Sequence, residues 1–120
     1  FFDELSKCSM AVNISRGAPI KYYSSDRISS LLGNGLLTFI HEKYHYQDFF
    51  STKEIVTYKN IQDLNKKIIF YKNKPKLLRD IACRGHKKAH KIFNNKVVSD
   101  YIVKRSMNLK INYKLPWING

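Results

Sequence analysis

Short apolar runs alternate with helix-periodic stretches along this chain. Met10-Ala11-Val12-Asn13-Ile14, Leu36-Leu37-Thr38-Phe39-Ile40 and Glu54-Ile55-Val56-Thr57-Tyr58 have strand length and little in–out alternation. They predict strands at about 10–15, 36–40 and 54–58, buried on both faces as in a parallel sheet. Between the first two, Ile28, Leu31 and Leu32 recur at helical spacing. Ser24, Ser25 and Asp26 stand before them as candidate caps, and Gly33-Asn34-Gly35 stops the helix. His41–Ser51 predicts a short helical stretch carrying Tyr46, Phe49 and Phe50, which read as core or interdomain contacts. The remainder is helical. Asn60 caps a helix at about 61–72 with Ile61, Leu64, Ile68 and Tyr71 on its apolar side. A second, at about 76–93, carries Leu78, Ile81, Ala82, Gly85, Ala89, Ile92 and Phe93. A third, at about 96–107, carries Val97, Val98, Tyr101 and Ile102. Phe1–Cys8 reads as the end of a helix with Phe1, Phe2 and Leu5 on one side. Residues 108–120 form a tail in which Trp117 is a packing anchor. The order is that of an α/β fold, about three parallel strands flanked by helices, like half of a doubly wound domain.

Composition narrows the class. With 43% hydrophobic residues in 120, the chain can build a core, so a disordered tail is excluded. No apolar run approaches the roughly 18 residues of a membrane span. The chain opens at Phe1-Phe2-Asp3 without an initiator methionine, so it is expected to be a piece of a longer protein. Cys8 and Cys83 fit no metal or disulfide pattern and read as free thiols in a reducing, cytoplasmic compartment.

The net charge of +13 is unevenly placed. Residues 1–60 hold 7 basic and 6 acidic side chains; residues 61–120 hold 15 and 3. Such a block suits an anionic partner: nucleic acid, a membrane surface or a phosphorylated substrate. Only 5 of the 22 basic residues are Arg, and the chain is rich in Lys, Asn, Ile and Tyr, so compositional bias competes with function as the cause.

The stretch from Asn13 to Gly35 carries the most chemistry. A strand ends near Ser15-Arg16, Gly17-Ala18-Pro19 breaks it, and a helix starts near Asp26. In open α/β sheets ligands sit at the carboxyl ends of strands, where free helix N–H groups and the helix dipole favour phosphate. Arg16, Lys21 and Arg27 add positive charge, and Tyr22 or Tyr23 could stack on a base. The plainer alternative is a solvated loop in which Arg27 pairs with Asp26 or another acid.

These residues also carry a resemblance. Asn13-Ile14-Ser15-Arg16 followed by Ser25-Asp26-Arg27-Ile28-Ser29-Ser30-Leu31-Leu32-Gly33-Asn34-Gly35-Leu36-Leu37-Thr38 resembles the C-terminal region of CgeB-type, spore-maturation-like glycosyltransferases, relatives of the retaining GT-B enzymes. That family shows an Arg, a Glu after two intervening residues, a Gly after four more, then an apolar strand ending in Thr. Glu54-Ile55-Val56, Asp63-Leu64, Tyr71 and Arg79-Asp80-Ile81-Ala82-Cys83-Arg84-Gly85-His86 follow in the family's order, so the resemblance spans roughly residues 10–107. It implies the Rossmann-like, donor-binding part of a two-domain GT-B glycosyltransferase over residues 1–107. Such an enzyme moves a sugar from a nucleotide-sugar donor to a glycan, lipid or protein acceptor, with no further cofactor, and this piece alone is expected to be inactive. Arg27 matches the family Arg and Gly35 the Gly. The family Glu falls on Ser30, which can hydrogen-bond a hydroxyl but carries no charge. The expected donor site is therefore Arg16, Gly17, Tyr22, Tyr23, Ser24, Ser25, Asp26, Arg27 and Ser30.

Other groups are weaker candidates. His86 and His90 stand at i, i+4, half of a zinc pattern, but Lys87 and Lys88 lie between them and no third ligand is placed; no metal is expected. His41 and His45 could approach the donor pocket, surface placement being the alternative. No nucleophile–base pair and no glycine-rich phosphate loop identifies a catalytic residue. The alternative function is a basic nucleic-acid-binding module. Against it, the basic residues are scattered lysines and no known nucleic-acid-binding motif appears. An anionic membrane at the inner face is a further expected partner, compatible with the enzyme reading.

Overall fold

A computed structural model describes residues 2–118, without the side chains of Phe2 and Leu5. It is an α/β fold with a three-stranded parallel sheet. A single turn, α1 (Phe2–Leu5), precedes β1 (Met10–Asn13). The expected apolar side of this first helix rests on Phe1, Phe2 and Leu5 and lies outside the described residues. Then come α2 (Asp26–Gly33), β2 (Leu37–His41), two 3₁₀ turns at Glu42–Tyr44 and Tyr46–Asp48, and β3 (Val56–Tyr58). Three helices follow: α3 (Ile61–Lys72), α4 (Pro75–Ile92) and α5 (Asn95–Ser106).

The strands lie in the order β1-β2-β3, with Val12 beside Phe39 and Phe39 beside Val56. Side chains alternate across the sheet. Leu37, Phe39, Val56 and Tyr58 point to a layer made with Leu64, Ile68 and Tyr71 of α3 and Leu78, Ile81 and Ala82 of α4. Ile40 and Ile55 point to the other layer, with Ile28 and Leu32 of α2, Tyr46, Phe50, Ile92 and Leu115. Thus α4 serves both layers, its first half on one side and its last turn on the other. Gly85 is where it crosses: a Cβ there would run into the Glu54 carbonyl just before β3, so only glycine lets the helix pass.

Local chemistry explains the helix limits. The Asn60 side chain accepts from Asp63 N–H at 2.8 Å, and Asp63 accepts from Lys59 N–H at 3.0 Å, closing the start of α3. Pro75 opens α4, where its missing N–H costs nothing. Asn94 caps α5 by accepting from Val97 N–H while its Nδ2 donates to the His90 carbonyl of α4. After α5 the chain folds back: Leu115 is buried, and Trp117 stacks on Phe93 at 5.0 Å, the expected anchor.

Several expectations shift. β1 stops at Asn13 and Ile14 is exposed, because the chain leaves the sheet there for the helix connection. β3 starts at Val56, since Glu54 and Ile55 still belong to the turn that follows Ser51. Ile61, expected on the buried side of α3, is 71% exposed: it sits in the first turn, beyond the end of a three-residue β3 that cannot cover it. Ile102 of α5 is likewise exposed, the core contacts there falling on Val97 and Tyr101.

Candidate functional site

The carboxyl ends of the strands are Asn13, His41 and Tyr58. From Asn13 the chain runs through a twelve-residue connection, 14–25, into α2. Two left-handed residues shape it, Gly17 at φ 80° and Tyr22 at φ 60°. Tyr22 ties the connection to the segment after β2. Its N–H donates to the Tyr44 carbonyl at 3.0 Å, its hydroxyl donates to Asp48 Oδ2 at 2.7 Å, and its ring packs on Phe49 and His45. Lys21 Nζ covers the ring 4.7 Å from its centroid.

Among the described residues, four buried side-chain polar atoms make no hydrogen bond: Asn13 Oδ1 and Nδ2, Ser15 Oγ and Ser25 Oγ. All belong to this one strand-to-helix turn. Asn13 is 1% exposed. Met10 and Val12 pack in the α3 layer, so Asn13 lies on the opposite face, beside Ile40 and toward α2. Ser25 holds the N-cap position of α2, but its hydroxyl caps nothing. Desolvated polar groups without partners cost about 1–3 kcal/mol each, and native proteins keep few of them. Their concentration leaves hydrogen-bonding capacity unused on one turn, among the described residues.

The other expected site residues surround this turn. Arg16, Gly17, Tyr23, Ser24, Asp26 and Arg27 are exposed and Ser30 is half-buried. Arg16 and Arg27 form no ion pair among the described residues, so the Arg27–Asp26 pairing considered from sequence is not formed. Tyr22 is 45% exposed, with its hydroxyl and part of its ring engaged by the 45–49 segment. Ser24 and Ser29 edge a cavity of about 320 Å³ walled by Ile28, Tyr46, Phe50 and Phe93. Burial raises the Tyr46 phenol above its ordinary pKa, with the Ser24 hydroxyl beside it working the other way. Sequence reasoning did not include Asn13 or Ser15 in the site. The available signal was a polar amide inside a buried apolar run.

A model of the glycosyl transferase-like family matches residues 1–104. The chain belongs to that family. No curated protein and no solved structure matches it. Within this glycosyl transferase-like frame, the strand-to-helix turn lies at the carboxyl edge, where α/β folds hold their ligands.

His86 and His90 are engaged away from this turn, whereas His41 and His45 lie at the same edge of the sheet. His86 Nδ1 lies 3.3 Å from the Leu32 carbonyl and His90 Nε2 3.2 Å from the Gly33 carbonyl, so both rings clamp the end of α2, 4.4 Å apart. No group of three ligating side chains occurs among the described residues. His41 Nδ1 accepts from Lys43 N–H and its ring stands against Tyr58, holding the first 3₁₀ turn. His45 lies 3.8 Å from Asp48, beside Tyr22. Of the basic residues in 61–120, all are exposed except Lys67, Lys88 and Lys104, which pair with Asp63, Glu54 and Asp100. They form a surface, not a pocket. Among the described residues no helix is long and apolar enough to cross a membrane.

Proposed function

We propose that this chain is the donor-binding part of a GT-B glycosyltransferase of the CgeB type, and that the β1–α2 turn holds the diphosphate of a nucleotide sugar. The observation that carries this reading is the set of four unpartnered buried polar atoms on that turn. Free N–H groups and the positive end of the α2 dipole favour phosphate oxygens there. Arg16 and Arg27 are exposed beside the turn and supply positive charge for a diphosphate. Asn13 and Ser25 bring one amide and one hydroxyl with hydrogen-bonding capacity to spare. Ser30, one turn into α2, offers a hydroxyl to the ribose or sugar where the family has an acid.

In glycosyl transfer the bond from the anomeric carbon to the diphosphate breaks as the acceptor oxygen bonds to that carbon, and the acceptor's proton passes to the departing phosphate. Negative charge then grows on the departing diphosphate. Cations and N–H groups fixed beside it stabilise that charge in the transition state. That is the task assigned to Arg16, Arg27 and the first turn of α2. The acceptor is a glycan, lipid or protein.

The test is calorimetric titration with a panel of nucleotide sugars, repeated on Arg27→Ala. Loss of a charge-assisted phosphate contact is expected to weaken donor binding by about 1.5–3 kcal/mol, with little change in melting temperature. Unchanged donor affinity with a lowered melting temperature would make Arg27 structural and remove the main cation from this site.

A further inference from the structure

The corner between α3 and α4 lies at the opposite edge of the molecule. Leu78 and Arg79 of α4 share a cavity with Ser9, Asn34 and Gly35, which stand at the amino ends of β1 and β2. The corner just before them therefore projects from the amino edge, away from the β1–α2 turn. Ile69, Phe70 and Leu77 are 61, 46 and 37% exposed there. Residues 64–79 contain six basic side chains, five of them Lys; Asp63 and Asp80 flank the stretch and Asp63 holds Lys67 at 3.1 Å, which leaves five basic side chains without an ion pair among the described residues. Lys74 Nζ rides 4.8 Å above the Phe70 ring.

We propose that this corner docks on an anionic lipid bilayer. A bilayer satisfies both halves of the pattern. Its acyl boundary takes Ile69, Phe70 and Leu77, and its anionic headgroups take Lys66, Lys72, Lys74 and Lys76. Nucleic acid would use the lysines but has no apolar phase for the isoleucine and leucine. Two further exposed apolar stretches differ: Asp100 lies beside Ile102, Val103, Met107 and Leu109 and holds Lys104 at 2.8 Å, and Ile14, Ile20 and Tyr23 belong to the connection assigned to the donor. Docking by the α3–α4 corner leaves the carboxyl edge facing away from the membrane, open to a soluble donor.

The experiment is co-sedimentation of the protein with vesicles of phosphatidylcholine alone or with about one third phosphatidylglycerol, over a series of salt concentrations. Binding is expected only to the anionic vesicles and should fall steeply as salt rises. Lys72→Gln, Lys74→Gln and Lys76→Gln together should weaken it about 100-fold, at roughly five-fold per lysine. Ile69→Ser with Phe70→Ser should cost about ten-fold without altering net charge. The charge-matched set Lys96→Gln, Arg105→Gln and Lys110→Gln on the α5 side should leave most of the binding. Equal losses from both lysine sets, indifference to Ile69→Ser and Phe70→Ser, or no vesicle binding would overturn the proposal. So would single-stranded RNA binding that needs the lysines but not Ile69 and Phe70. None of these outcomes depends on whether the β1–α2 turn holds a donor.

Discussion

Of the three connections that leave the carboxyl edge of the sheet, the two long ones, after β1 and after β2, have opposite chemistry. The connection after β2 is spent on packing. Tyr44, Tyr46 and Phe50 are buried, Phe50 stacks on Phe93, and the polar groups find partners: Gln47 Nε2 with the Glu42 carbonyl, Ser51 N–H with Glu54, Glu54 with Lys88. The connection after β1 leaves Asn13, Ser15 and Ser25 without partners and exposes Arg16, Arg27 and Tyr23. Tyr22 joins the two and lets the rigid one brace the open one. A fold can hold uncompensated polar groups at a ligand site only when neighbouring segments supply the stability.

The largest effect should come from breaking the packed side. Phe50 is 1% exposed, among Tyr46, Phe93 and the Lys88 ammonium. Phe50→Ala should cost about 3–5 kcal/mol in denaturant unfolding, because the rings around it cannot collapse into the space. A cost below about 1 kcal/mol would mean that the second connection does not hold the first.

How far the sequence shows this contrast depends on the residue. The helix start at Asn60 is legible, because capping is local chemistry written in one or two side chains. The three buried runs give the sheet for the same reason: strand length and lack of alternation need no tertiary information. The passage of α4 between two layers is not legible. It rests on Gly85 meeting the Glu54 carbonyl, a contact thirty-one positions distant in sequence. Among the candidate site residues, Ser30 is marked by the family resemblance and Arg27 by that and by its charge beside the start of α2, but Asn13 is not, since it reads as one more position in an apolar strand. What sets it apart is that its amide finds no partner once buried, which only packing decides. Tyr22 carries a second role that the sequence does not show: an aromatic in a polar loop reads as a base platform, and the fold also uses it as a brace.

Asn13 offers the sharpest test of the open side. Asn13→Leu replaces two unpartnered polar atoms with apolar ones of similar volume. The free protein should gain about 1–2 kcal/mol, because the desolvation cost of the amide disappears. Donor binding should fall in the same variant. Stability and binding moving in opposite directions is the signature of a site maintained against the fold's own preference. A loss of stability would instead make Asn13 a satisfied structural residue and return the first connection to the same class as the second.

The smallest effect separates charge from packing within the second connection. Glu54 is squeezed by burial, which disfavours its charge, yet the Ser51 N–H and the Lys88 ammonium at 3.0 Å outweigh this and hold its carboxyl below the ordinary range. A folded-state pKa below the unfolded value means that the unfolded chain takes up the proton first as pH falls. The stabilisation is therefore complete above the ordinary glutamate value of about 4.3 and is lost as pH falls through the lower folded value. Glu54→Gln keeps an acceptor for Ser51 but removes the charge facing Lys88, which should cost about 1 kcal/mol at neutral pH, the partial exposure of the pair limiting it. Asp63 and Asp100 are also held below the carboxylate range, the first chiefly by the Lys59 N–H and the second by Lys104, so both proteins will still lose stability in acid. The informative quantity is the difference between wild type and Glu54→Gln in urea unfolding at several pH values. It should be constant above about pH 5 and close toward zero below about pH 4. A difference that persists unchanged into acid would show that Glu54 holds the turn before β3 by shape and hydrogen bonding alone, leaving the second connection stabilised by its aromatic packing and not by charge.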